Sequence, residues 1–259
     1  MILRRLSQSL KEQNWAAIVI EFILLVSGVF LGIQVANWNA QRLSDKQSEV
    51  FTERLSEDLR VEKWRYNSLI AYYDDVMRHS KITLDALEGR VVVSNEQLLI
   101  SAYRATQYAE LAQYRETFDE LTSTGNINLI KDTSMRRMAI EIYNTKLYEN
   151  VKNEGINSRY RVAFRMLVPI SIQEVLAENC GDRPAIPGDY DGIRFGLDYP
   201  CNAGVPPQEI DAVAQILRSD PTLVGLLRLR IANIRTAIST QMLSNEIKAK
   251  LLVVIKEKP

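Results

Sequence analysis

The stretch "EFILLVSGVFLGIQVANWN", Glu21 to Asn39, decides how the rest of the chain is read. Between Trp15 and Trp38 the only strongly polar residues are Glu21, Gln34 and Asn37. As a helix rising 1.5 Å per residue, that interval covers about 35 Å, more than the roughly 30 Å hydrocarbon core of a bilayer. A tryptophan at each end suits the interfacial aromatic belt. The competing readings are a cleaved export signal and a helix buried in a soluble core. A signal has an apolar region of about 7–15 residues closed by a small-residue site. No clean site of that kind follows here. The reading is therefore a transmembrane helix over 15–38, a short cytoplasmic tail over 1–14 and an ectodomain over 39–259.

The polar residues of the span are not scattered. At about 100° per residue, Glu21, Leu25, Gly28, Gly32, Val35 and Asn39 fall within about 40° of one line, whereas Gln34 lies about 140° away. Gly28 and Gly32 form G-x-x-x-G, and Ala36 extends the small-residue pattern. Glycines let two backbones approach closely, and Glu21 and Asn39 are placed to hydrogen-bond across such a seam. This face predicts self-association through the span, hence a homo-oligomer. For Glu21 alone two readings stand: a functional intramembrane carboxylate, or a side chain hydrated locally near the interface.

Arg4, Arg5 and Lys11 precede the span, and Arg42 and Lys46 follow it. The basic bias points to a cytoplasmic N-terminus. Cys180 and Cys201 bracket a Gly- and Pro-rich interval without helical pattern. Loops longer than about 15 residues are uncommon in compact domains unless something constrains them. A disulfide closing 180–201 would do so, contributing about 3 kcal/mol, and would place the ectodomain in an oxidising compartment. Two unrelated buried thiols are the alternative. One histidine and no second cysteine pair argue against zinc.

Lys and Arg total 32, as do Asp and Glu, so the formal net charge is zero and gives no electrostatic footprint for nucleic acid. The implied partners are the lipid bilayer, further copies of the chain, and another membrane or periplasmic protein. Beyond the span, Phe51, Leu55, Leu59, Glu62, Tyr66, Leu69, Tyr73 and Val76 recur every three or four residues, one face of a long helix with a single non-apolar member. Gly89 ends it. "SNEQ", Ser94 to Gln97, is a capping pattern for a helix through Leu98, Tyr103 and Leu111.

"FDELTSTGNINLIKD", Phe118 to Asp132, reads as a helix end, a turn at Gly125 and a new start capped by Asp132. One helix is expected from there, with Ile140, Tyr143, Leu147 and Val151 as its apolar stripe, resuming beyond Gly155 to Leu167. A short helix over 172–177 follows Pro169. "PPQEIDAVAQIL" starts another with proline in its first turn. "SDP", Ser219 to Pro221, opens the last, with Leu223, Leu227, Ile231, Ile234, Ile238 and Met242 inward, reaching nearly to Lys256. No strand pattern occurs. The fold class is all-α: a single N-terminal transmembrane helix followed by a long-helix antiparallel bundle.

Two stretches together resemble a family of uncharacterised bacterial single-span membrane proteins. Its span has the form E-x-x-L-x-x-x-G-x-x-x-x-x-Q-x-x-x-W-N, matched here by Glu21, Leu24, Gly28, Gln34, Trp38 and Asn39. Its turn, E-L-x-x-x-G-N-x-x-L-I-x-D, is matched by Glu120, Leu121, Gly125, Asn126, Leu129, Ile130 and Asp132. The resemblance covers about a quarter of the chain and does not extend to the cysteine loop. It implies a bacterial inner-membrane protein with a periplasmic helical ectodomain and carries no activity with it.

"GDYDG", Gly188 to Gly192, offers Asp189 and Asp191 but lacks the distal glutamate of a calcium loop, so it reads as turn chemistry. His79, beside Arg78, reads as a surface side chain. No catalytic, cofactor or metal signature is present in the sequence, and the chain does not read as an enzyme. Two functions follow. The first is a membrane-anchored periplasmic interaction or scaffold protein that self-associates through its span. The alternative is a sensory or ligand-binding bundle signalling through a membrane partner.

Overall fold

The computed structural model describes residues 15–110, 113–183 and 196–242. Every regular element among them is helical. Helix α1 runs from Trp15 to Leu87, 73 residues in one piece, or about 110 Å. No glycine or proline occurs between Gly32 and Gly89, so nothing in the sequence breaks the hydrogen-bond ladder. One eighteen-residue window of α1 has a mean hydropathy of 2.6, and none of it is buried. This segment is long and apolar enough to cross a membrane. From Ser48 onward the helix becomes the spine of a packed body: Leu55, Leu59, Glu62, Tyr66, Leu69, Tyr73 and Val76 are all buried.

The other helices are α2 (Asn95–Arg104), α3 (Glu116–Ser123), α4 (Thr133–Tyr143), α5 (Leu147–Ile156), α6 (Arg159–Leu167), α7 (Ile170–Cys180), α8 (Pro207–Ser219) and α9 (Leu223–Met242), with a 3₁₀ turn at Ile127–Leu129. Helices α2, α3, α9 and the 3₁₀ turn pack on α1. Helix α9 also packs on α5 and α6, and α2 on α7 and α8.

Three clusters of buried side chains result among the described residues. Leu55 and Leu59 meet Phe118, Leu121, Ile130, Met138 and Ile142. Tyr66, Leu69, Tyr73 and Val76 meet Val151, Leu197 and Ile234. The largest is built on Leu99, Phe164, Leu176, Val213 and Leu227, away from the centre of α1. Each fully buried leucine or phenylalanine contributes about 1.5–3 kcal/mol.

The sequence's stop signals act where expected. Gly89 has φ 71°, just past the end of α1. Ser94 caps α2, accepting from the Gln97 N–H at 3.0 Å. Asp132 caps α4, accepting from the Ser134 and Met135 N–H groups at 2.8 and 3.1 Å. Gly125 has φ 72°, and the following N–H, of Asn126, donates to Leu121 O at 2.7 Å, closing α3. Gly125→Val should therefore lower stability by about 1 kcal/mol or more, read as a lower urea midpoint for the full chain. An unchanged midpoint would remove the turn from the account.

Three boundaries differ from the sequence reading. Helix α2 ends at Arg104 instead of running on toward Leu111. Helix α7 covers Ile170–Cys180 rather than 172–177. The expected helix from Asp132 to Leu167 is three helices, interrupted at Asn144–Lys146 and again at Asn157–Ser158. The first interruption falls where the chain passes from one core cluster to another: Ile142 and Tyr143 belong to one and Val151 to the other. Ile140, expected inward, is exposed. Gly155 lies within α5 because a Cβ there would collide with the Tyr108 side chain. The expected continuation of α9 toward Lys256 falls outside the described residues.

Candidate functional site

The proposed span face lies on bare helix. Leu25, Gly28, Gly32, Val35 and Asn39 are exposed and Glu21 is partly so. Nothing stands within 4 Å of a Cβ built at Gly28 or Gly32. No described part of the chain uses this face.

Inside the body, the one polar member of the long apolar face becomes a charge centre. Glu62 and Arg65 are each 1% exposed. They are three residues apart on α1, so their side chains meet on one face. Arg65 Nη1 donates to Glu62 Oε1, and the Tyr114 N–H donates to the same oxygen at 2.9 Å. The Arg65 guanidinium lies 4.7 Å from the Tyr148 ring centre and 5.8 Å from that of Tyr114. Burial pushes the Glu62 carboxyl up, against the opposing pull of Arg65 and the Tyr114 N–H. Burial also holds the Tyr143 and Tyr148 hydroxyls far above their usual range, so both remain donors. Arg65 Nη2, the Tyr143 hydroxyl and Gln113 Nε2 are buried with no hydrogen-bond partner. Buried polar groups are nearly always paired, so orphans of this kind mark a place that calls for a reason.

That place adjoins a cleft of about 690 Å³, whose lining includes Leu69, Gln113, Arg115, Tyr143, Tyr148 and Lys152. Its volume suits a small organic molecule. The interruption at Asn144–Lys146 forms part of its wall.

The cysteine loop is anchored from several sides. Cys180 and Cys201 lie with Cα atoms 5.5 Å apart and sulfurs at disulfide distance. Arg104, at the end of α2, donates to Cys180 O at 3.2 Å and Tyr199 O at 3.1 Å. The Tyr199 ring has the guanidinium groups of Arg104 and Arg183 at 4.6 and 3.7 Å from its centre. Tyr72 donates to Asp182 at 2.8 Å. Burial raises the Asp182 carboxyl, and the Tyr72 bond opposes this. Leu197, from the same loop, is fully buried beside Tyr73 and Val76. Asp189 and Asp191 fall outside the described residues.

His79 is the clearest correction. Instead of lying on the surface it is 6% exposed, with Nδ1 3.3 Å from Ser101 Oγ. Burial, then the positive charges of Arg104 and Arg78, push its pKa down to about 4, with Asp198 opposing. The unfolded chain then binds a proton that the folded chain refuses between about pH 6.5 and 4. Stability should fall with acidification across that window, by up to about 1.4 kcal/mol per pH unit from this group. Urea titrations at pH 7, 6 and 5 should show a smaller fall for His79→Gln. Equal falls in both proteins would remove His79 from the acid response.

Sequence reasoning missed the buried arginines. Arg230 is 1% exposed; it donates to Gln107 O at 2.6 Å and Ala105 O at 3.3 Å, and pairs with Glu154. It falls three residues after Leu227 and four before Ile234, so helical spacing placed it on the inward face. Set against family models, curated proteins and solved structures, the chain matches none of them.

Proposed function

We propose that the chain is a membrane-anchored helical interaction or scaffold protein, its body in the periplasm, that self-associates through its span. The observation that carries this reading is α1. An apolar segment from which the body stands clear runs without a break into the spine of that body. A soluble protein would cover such a surface, whereas a bilayer covers it without further structure. The cysteine pair at disulfide distance supports an oxidising compartment for the body.

Alkaline carbonate extraction and protease treatment of spheroplasts test the placement. Retention in the membrane pellet, with a body cleaved from outside, is the expected result; release into the supernatant or full protection overturns it. For association, Gly28→Leu and Gly32→Leu should dissociate the oligomer seen in mild detergent, while Phe30→Leu leaves it intact. A monomeric parent overturns the self-association.

The second reading, a ligand-binding sensory body, is favoured by one observation: the 690 Å³ cleft beside unpartnered donors on α1 and its neighbours. Because Arg65 belongs to the helix that continues into the apolar segment, occupancy of the cleft would act on the same rod.

A further inference from the structure

The exposed face of α1 does not stop at the end of the apolar segment. Taking Glu21 as zero and about 100° per residue, Gly28, Gly32, Val35 and Asn39 are followed on the same line by Leu43 at about +40°, Lys46 at about −20° and Val50 at about +20°. The spacings from Gly28 to Val50 are 4, 3, 4, 4, 3 and 4, an eleven-residue period repeated twice. Leu43 is 60% exposed and Val50 is 54% exposed. They are large apolar side chains left bare on a stretch, Asn39 to Val50, whose other residues are polar or charged except Ala40.

The body sits on the other side. Ser44, Ser48, Phe51, Leu55 and Leu59, all buried or partly buried, fall between about 120° and 200° on the same wheel. Ser48 donates to Leu129 O at 2.6 Å, fixing this as the packed face. The bare line is thus turned away from the chain's own helices, and a second helix can approach without meeting them.

We infer that this line from Asn39 to Val50 is the docking face for α1 of a second copy, a parallel helix pair continuing beyond the span. The inference rests on the self-association reading and extends it. Two copies anchored in the same direction place their α1 helices parallel, so each residue of the line meets its own counterpart. The flanks fit that arrangement. Arg42 and Glu49 lie on one side of the line at about −60° and −80°, while Gln47 and Arg54 lie on the other at about +80° and +60°. In a parallel pair, residue i on one flank faces residue i+5 of the partner helix. That sets Arg42 against the partner's Gln47 and Glu49 against the partner's Arg54, a complementary pair on each side. Arg54 contacts Glu120 at the surface, with both side chains 44% exposed, and is open to a second acceptor. Asn39 and Lys46 on the line are the kind of polar interruptions that fix register at some cost in affinity. From Asn39 to Val50 the spacings 4, 3 and 4 are those of a heptad seam, for which this flank pairing holds.

The test is photocrosslinking of the full chain in native membranes. A benzophenone amino acid is placed singly at Leu43, Val50, Gln41 and Asp45, and at Leu25 and Val35 within the span. Gln41 and Asp45 point at about −160° and −120° and serve as off-line controls. Dimer-sized products from Leu43 and Val50, at least fivefold above Gln41 and Asp45, are the expected result. Glu49→Arg should reduce the Val50 product severalfold, and Glu49→Arg with Arg54→Glu should restore it. Dimer products from Leu25 and Val35 but none from Leu43 or Val50 overturn this inference and leave self-association standing. No dimer product at any position overturns both. Products of a different mass at Leu43 and Val50 assign the face to another protein and also overturn the proposal.

Discussion

Glu62→Leu will destabilise the body by about 3–5 kcal/mol, the largest effect expected of any single substitution described here. The change is close to isosteric, so little of the loss comes from volume. It strips the Arg65 guanidinium of its counter-charge where the side chain is 2% exposed, and it leaves the Tyr114 N–H without its acceptor. An uncompensated buried cation costs more than the pair ever contributed. For that reason the double variant, Glu62→Leu with Arg65→Met, should recover most of the loss, because two apolar side chains carry no desolvation penalty. Urea unfolding of the full chain in detergent, followed by circular dichroism, measures both. A double variant as unstable as Glu62→Leu would mean that the ion pair itself, and not the orphaned charge, holds the site together.

The second large effect concerns the cysteine loop. Cys180→Ser with Cys201→Ser should cost about 3 kcal/mol, the loop-closure value for a separation of 21 residues. More than chain entropy is involved. The closed loop carries Leu197 into the core beside Tyr73 and presents the Tyr199 carbonyl to Arg104. Opening it frees both contacts together. Reductant applied to the parent protein should lower its urea midpoint to that of the double variant. A parent indifferent to reductant, with two alkylatable thiols in its unreduced mass spectrum, would show that the sulfurs are not bonded.

The helices that announce themselves in the sequence do so through three devices visible without tertiary context. These are the 3.6-residue recurrence of Leu55 through Val76, the caps Ser94 and Asp132, and the left-handed glycines 89 and 125. The interruption at Asn144–Lys146 carries no such mark, since "YNTKLYEN" contains neither glycine nor proline. It falls between residues of two separate cores, Tyr143 and Val151, and those cores exist only when the partners are in place. The cleft beside it was illegible for the same reason. Parts of the charge centre were legible. An acid on an otherwise apolar helical face calls for a partner three or four residues away, and Arg65 stands at i+3 from Glu62. His79 likewise follows buried Val76 by three residues. Its reading as a surface group weighed its neighbour Arg78 over its angle on the helix. Gly155 carries no sequence mark of its role either; its reason is the Tyr108 side chain lying against it, a contact across nearly fifty residues of sequence.

The unbroken run of α1 imposes a torsional phase on everything built upon it. Apart from partly buried Ser44 and the Asp45–Lys131 ion pair at the surface, the helix between Asn39 and Gln47 touches little of its own chain. Yet each residue inserted in that interval would turn the body by about 100° about the rod and lift it by about 1.5 Å. Such a turn carries the face bearing Ser48 and Leu55 out of alignment with the line bearing Gly28 and Gly32. Only additions close to whole numbers of turns, such as seven or eleven residues with about 20° of drift either way, leave the two faces opposed. The stalk is thus quantised in length by the turns of its own helix.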